Sequence, residues 1–226
     1  DLLVQLRIES VFRELAANNE RPWFEANKAR YRESVVAPMM AFIEAMAPRL
    51  EEISPHYRAI ARPHGGSMFR IYRDTRFSKD KTPYKTHAGC HFRHELGRDA
   101  HAPGFYAHFE NRRLYFGGGI WRPPSKELGL IRHFIADNPA AWRRIVNDDE
   151  VQARGGLQGD QLKRPPRGFD PGHEHIEDLK RKSFYVMTGA RQSLAYSPEL
   201  LDAVTDAFRA TRPLSHFICD ALEVPF

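Results

Sequence analysis

The stretch 105–116 constrains the fold of this chain more than any other. Phe105, Ala107 and Phe109 alternate with Tyr106, His108 and Glu110, and two residues later Leu114 and Phe116 alternate with Arg113 and Tyr115. A period of two marks extended backbone, because successive side chains on a strand point to opposite faces. If Asn111-Arg112 is a two-residue turn, Arg113 lies opposite Glu110, Leu114 opposite Phe109, Tyr115 opposite His108 and Phe116 opposite Ala107. A three-residue turn would mix Leu114 and Phe116 with His108 and Glu110, so the two-residue register alone leaves one apolar and one polar face.

The same sorting applies to two further β-like runs, 67–77 and 87–94. Phe69 and Ile71, with Ala88, Cys90 and Phe92, are assigned to the apolar face. Arg70, Tyr72, Asp74 and Arg76, with His87, His91 and Arg93, are assigned to the polar one. Helical periodicity brackets these strands. Ile8, Val11, Phe12 and Leu15 precede Asn18-Asn19, and Trp23, Phe24, Tyr31 and Val35 follow Pro22 until Pro38, where a break or kink is expected. Met39, Phe42, Ile43, Met46 and Leu50 make a third helical stripe. Beyond the strands, Leu128, Ile131, Phe134 and Ile135 follow a Ser125 cap, and Trp142, Ile145 and Val146 follow Asn138-Pro139. A last strand is expected at 184–187 and closing helices over 197–222, while 162–178, rich in Pro, Gly and charge, reads as an ordered loop. Strands in a run between runs of helices predict an α+β fold: an antiparallel sheet with helices packed on one face, in a single domain over residues 1–226.

A chain of 226 residues buries enough surface to need no staple. Cys90 and Cys219 lack CxxC spacing, which argues against a disulfide framework and a cysteine-built zinc site. No apolar run approaches the ~20 residues of a membrane span, and the first residues lack the marks of a signal peptide, so a cytoplasmic location without membrane contact is expected. The formal charge of +5 suits acidic partners and is also ordinary for solubility.

The polar face is where chemistry is expected. Arginine forks hold an anion while Tyr or His stacks on a flat ring. The bland alternative is a solvated sheet face, but that favours Thr, Lys and Glu over Arg, Tyr and His. Between 70 and 85 lie Arg70, Arg73, Arg76, Lys79, Lys81 and Lys85 against only Asp74 and Asp80. These six are candidate anion-binding residues, unless Asp74 and Asp80 pair with their basic neighbours as surface ion pairs. Lys163, Arg164 and Arg167, stiffened by Pro165-Pro166, form a second basic segment. The expected partner is a phosphate-bearing ligand: a nucleotide, a phosphorylated metabolite or a nucleic acid. No cofactor is indicated, and oligomeric state is not legible.

Two other readings compete with a binding module. His108, flanked on its own face by Tyr106 and Glu110, suits general acid/base work in a phosphoester hydrolase or transferase, with Arg70 or Arg73 stabilising developing charge. No nucleophile motif accompanies it, since Ser67 and Ser78 lack a GxSxG setting. The third reading is a protein interaction domain that uses Trp121 and residues 117–119. Eleven histidines raise a metal hypothesis, but His87 and His91 on a strand are roughly 13 Å apart, too far for one ion.

Asn18-Asn19 with Trp23-Phe24, the 70–85 stretch, Gly104-Phe105-Tyr106 with His108 and Glu110, Gly117-Gly118-Gly119 with Trp121, and 162–170 with 177–184 follow one another in a specific order. In this the chain resembles domain-of-unknown-function family 2461, found in bacteria and fungi, over about residues 12–184. The resemblance implies a housekeeping-type cytoplasmic protein and assigns no catalytic residue.

Overall fold

The computed structural model describes residues 8–97 and 101–226; the segment 1–7, whose sequence lacks signal-peptide marks, lies outside them. Helix α1 (Glu9–Ala17) stops at Asn18, whose side chain donates to the Glu14 carbonyl at 3.0 Å. Helix α2 (Arg21–Tyr31) opens with Pro22 in its first turn. It does not break at Pro38. It passes through a π-helical turn (Arg32–Val36) into α3 (Ala37–Ile53). Proline lacks an N–H and its ring crowds the carbonyl four residues back. The widened turn removes that conflict by hydrogen bonding five residues back, the Ala37 N–H donating to the Arg32 carbonyl.

The sheet is an antiparallel meander in sequence order: β1 (Tyr57–Arg58), β2 (His87–His94), β3 (Gly104–Glu110), β4 (Arg113–Ile120) and β5 (Phe184–Ala190). The β3–β4 register is the two-residue one: Glu110 faces Arg113, Phe109 faces Leu114 and His108 faces Tyr115. Arg112 takes a left-handed φ of 65°, and its N–H donates to Gln192 Oε1 at 3.1 Å. One sheet face is therefore continuous apolar surface. Ala88, Cys90, Phe92, Phe105, Ala107, Phe109 and Phe116 on it are buried against α3 and α8 (Leu200–Ala210). Phe42 meets Phe109 edge-on at 5.2 Å, and Phe208 lies 5.1 Å from Phe105.

Further along the same face, Ile120, Phe184 and Val186 pack under α4 (Ser125–Asp137), α5 (Pro139–Val146) and α9 (Arg212–Ala221). Trp142 sits over Phe184 at 5.9 Å and donates from its indole to Asp178 at 2.8 Å. Short helices α6 (Asp149–Ala153) and α7 (Ile176–Leu179) complete this end. No helix among the described residues is long and apolar enough to cross a membrane.

The run 67–77 departs from expectation. It forms isolated bridges, Met68 with Cys90 and Tyr72 with Tyr84, instead of a strand. Four steps from Met68 to Tyr72 answer to six from Tyr84 to Cys90, so the register slips and the alternation of faces is lost. Met68 and Ile71 turn inward, whereas Phe69 is 36% exposed and Tyr72 42% exposed. Phe69 thus does not pack beneath the helices: it lies on the polar side, 6.2 Å from His91 and 6.1 Å from Tyr106. Tyr72 leans instead on Phe24 and Tyr84, and Asp74 and Arg76 lie beyond the slip.

This difference is measurable. Phe105→Ala is expected to cost about 3–5 kcal/mol as a buried aromatic truncation, and Phe69→Ala well under half of that. Urea denaturation of both variants checks it; equal losses would restore Phe69 to the core.

Candidate functional site

The polar face of β2, β3 and β4 is built around a column of three rings. His108 is sandwiched between His87, with centroids 4.3 Å apart, and Tyr115, at 4.2 Å and nearly parallel. Strand register produces this stack: His108 lies directly opposite Tyr115 on one side and Gly89 on the other. His108 is only 4% exposed, yet both ring nitrogens are partnered. The Tyr106 hydroxyl donates to Nδ1 at 2.8 Å, and Nε2 donates to the Glu110 carboxylate at 3.2 Å. An ionised carboxylate only accepts, so Nε2 carries the proton and Nδ1 is free to accept from the phenol. The three residues expected to act together are therefore one hydrogen-bonded chain, Tyr106 to His108 to Glu110. Its interior member reaches a ligand only through the phenol or the carboxylate.

Two glycines make room for the neighbouring rings of Tyr106 and His91. A Cβ at Gly89 would stand 2.8 Å from the Tyr106 hydroxyl, and one at Gly104 would stand 2.1 Å from His91 Nε2. Burial dominates the electrostatics here. It pushes His87 and His91 down to about 4 and His108 below the ordinary imidazole range, against the pull of Glu110. It also raises the Tyr106 and Tyr115 hydroxyls. The face is consequently neutral at its centre, and its positive charge comes from its margin. Lys85 and Arg93 stand 5.5 and 6.0 Å from the Phe69 ring centroid, and Arg113 stands 4.9 Å from that of Tyr115.

The basic loop largely serves itself. Arg73 binds Asp80 at 2.7 Å and the Thr82 hydroxyl and carbonyl, while Arg76 forks onto Asp74 at 3.0 and 2.7 Å. Lys81 donates to the Thr75 carbonyl and Lys85 to that of Arg70. Lys79 and the Arg70 guanidinium have no hydrogen-bond partner among the described residues. Lys163, Arg164 and Arg167 are exposed in the segment that follows the bridges of Gln158 with Tyr185 and Gln161 with Arg181, beyond the outer edge of β5. Arg70 lies outside β2, at the other edge. The two edges are three strand spacings apart, roughly 14 Å, so the structure brings Lys85 to the ring column and leaves the second basic segment separate from it.

Four contributors escaped sequence reasoning. Asn19 clamps Tyr84 with its side-chain amide, donating to the carbonyl at 2.9 Å and accepting from the N–H at 3.0 Å. Gly89 and Gly104 act by what they lack, and only the final register reveals it. Arg93 had been placed on this face but not among the anion-binding residues. Among the described residues no group of three or more His, Cys, Asp or Glu is placed to hold a metal ion.

The fold and this face define an α+β protein whose five-stranded antiparallel meander carries helices on one side and a histidine–tyrosine surface on the other. The chain belongs to the family described as conserved hypothetical protein (DUF2461), which it matches over residues 9–217. No curated protein matches it in sequence.

Two outcomes are expected. Below pH 6.5 an unfolded chain takes up protons that His87 and His91 refuse in the sheet down to about 4. Their contribution to stability is thus full above about pH 6.5 and falls as pH drops towards 4. The urea midpoint should decline from pH 7 to pH 5 more steeply in the wild type than in His87→Gln/His91→Gln; parallel profiles would contradict the assignment. Gly104→Ala should destabilise by about 1–3 kcal/mol through overpacking. Most of that loss should vanish in a His91→Ala background, because the two groups share one space.

Proposed function

We propose that the polar sheet face binds a small phosphate-bearing ligand with a flat ring, of the nucleotide type. The observation that carries this reading is the arrangement of Lys85, Arg93 and Arg113 over Phe69 and Tyr115, at the margin of a neutral ring column. Rings supply stacking surface and the cations supply charge-assisted hydrogen bonds to phosphate oxygens. Glu110, opposite Arg113 in the register, is the one carboxylate of this face among the described residues and sets an edge beyond which an anion is repelled. A solvated face needs none of these stacked contacts.

A second reading, a phosphoester hydrolase or transferase, is favoured by the Glu110–His108–Tyr106 chain. In that case the Tyr106 hydroxyl meets an attacking water or alcohol: its oxygen takes the nucleophile's proton as its own proton passes to His108 Nδ1, Glu110 holds the resulting imidazolium, and the proton returns along the same path to the leaving oxygen as the phosphoester bond breaks.

Calorimetric titration with adenosine monophosphate, adenosine and inorganic phosphate tests the first reading. The monophosphate should bind more tightly than either half, and Arg93→Ala or Arg113→Ala should weaken it about tenfold, the scale of a lost hydrogen bond to a charged group. Equal affinity for adenosine and its monophosphate would rule it out. A single-stranded oligonucleotide that binds more tightly, with a salt slope of about −0.7 per phosphate neutralised, would move the reading to nucleic acid. Turnover of p-nitrophenyl phosphate tests the second reading: Tyr106→Phe and His108→Ala should each lower it by about 10²–10⁴. A rate unchanged in both would leave the face a binding surface.

A further inference from the structure

Away from the ring column, a cleft of about 600 Å³ opens between the α2–α3 helical arm and the segment carrying Met68 to Tyr72. That volume falls in the range of small-molecule sites, about 300–1,000 Å³. Its floor is apolar: Phe24, Tyr31, Met68 and Ile71 are buried at its base, and Val36 lines it. Burial pushes the Tyr31 hydroxyl up to about 12, so it stays neutral. All the charge in the lining is of one sign, since Lys28, Arg32 and Arg70 contribute to it and no carboxylate does.

Two details separate this cleft from an ordinary surface groove. The first is the π-helical turn, whose first and last residues, Arg32 and Val36, both face the cleft; such turns are rare and recur at functional sites. The second is that the cations are unspent. Arg73 and Arg76 in the neighbouring loop are tied to Asp80 and Asp74. Arg32, by contrast, has neither hydrogen-bond nor ion-pair partner among the described residues, and the Arg70 guanidinium makes no hydrogen bond or ion pair there, Asp74 attracting it only at longer range. Lys28 has only a 3.5 Å contact with Glu25. One unpaired arginine comes from the helical wall and one from the opposite wall, and an apolar floor lies between them.

We infer that this cleft is a second binding site, for a small amphipathic organic anion: an apolar body on the Phe24–Met68–Ile71 floor, with a carboxylate or phosphate head held by Arg32 and Arg70. The inference does not rest on the function proposed for the sheet face, because none of Arg93, Arg113, His108 or Glu110 lines the cleft. Phe69 is shared between the two, as its ring lies by His91 and Tyr106 and also lines the cleft.

The test uses the full chain and titrates it with 4-phenylbutyrate, octanoate and phenyl phosphate, with 4-phenylbutanol as the neutral counterpart and inorganic phosphate as the isolated head. At least one of the three amphipathic anions should bind saturably, and 4-phenylbutanol should bind at least tenfold more weakly than 4-phenylbutyrate if the latter is the binder. Inorganic phosphate should compete poorly. The carboxylate and phosphate arms show which head the site takes. Arg32→Ala/Arg70→Ala should weaken the bound anion by tenfold or more, as expected for loss of charge-assisted contacts, with an unchanged urea midpoint because both residues are exposed and unpaired. Val36→Trp, which fills the cleft, should abolish binding of anion and alcohol together. Should that variant not fold, the arginine pair alone decides. Failure of all three anions to bind, equal binding of acid and alcohol, or undiminished affinity in the double arginine variant would overturn the inference. Loss of nucleotide binding in Arg93→Ala or Arg113→Ala has no bearing on it.

Discussion

Everything on the polar face depends on His108 lying opposite Tyr115. That pairing follows from a two-residue turn, and a slip of one residue would turn Leu114 and Phe116 out among His108 and Glu110 and bring Tyr115 to the apolar face. Burying two large apolar side chains favours the observed register by about 1.5–3 kcal/mol for each. This comfortably exceeds the roughly 1–2 kcal/mol that a left-handed Arg112 costs. The ring column is thus a consequence of core packing on the opposite face. The helices under Phe105 and Phe109 hold His108 in place without touching it, which gives the neutral imidazole a rigid support.

Charge is distributed on a second plan. The loop following Tyr72 carries an excess of basic residues, but its arginines are consumed by Asp74 and Asp80 in fixing the loop itself. Positive charge available to a ligand is left at Lys85, Arg93 and Arg113 around the rings and at Arg32 and Arg70 around the cleft. Counting basic residues along the sequence therefore misleads, because the pairing of each cation decides whether it can serve an outside anion. Exposed ion pairs such as Arg76 with Asp74 contribute little stability; their effect is to order the backbone between the two sites.

The class of fold and the β3–β4 register were legible because alternation over 105–116 admits one solution with a single apolar face. The helices followed from equally plain stripes, such as Val11, Phe12 and Leu15. Segment 67–77 was not legible, since Phe69 and Ile71 look like alternating core residues, whereas the pairing of Met68 with Cys90 sets Phe69 outward and the slip before the Tyr72–Tyr84 bridge brings Ile71 inward. No local pattern marks such a slip. Pro38 correctly announced a disturbance, but a π-helical turn and a break begin from the same conflict, and α3 packing against α8 selects the continuous helix. Tyr106, His108 and Glu110 were placed together by alternation alone. The enclosure of His108 by His87 required the neighbouring strand, and the place of the Tyr106 hydroxyl required the missing side chain of Gly89.

The most direct test of a neutral, doubly partnered His108 is its imidazole ¹⁵N spectrum, followed from pH 8 to pH 5 and assigned with His108→Ala. A protonated Nε2 and an unprotonated Nδ1 at pH 7, with titration below the ordinary histidine value of about 6.5, are the expected result. A protonated Nδ1, or an imidazolium that persists at pH 7, would contradict it.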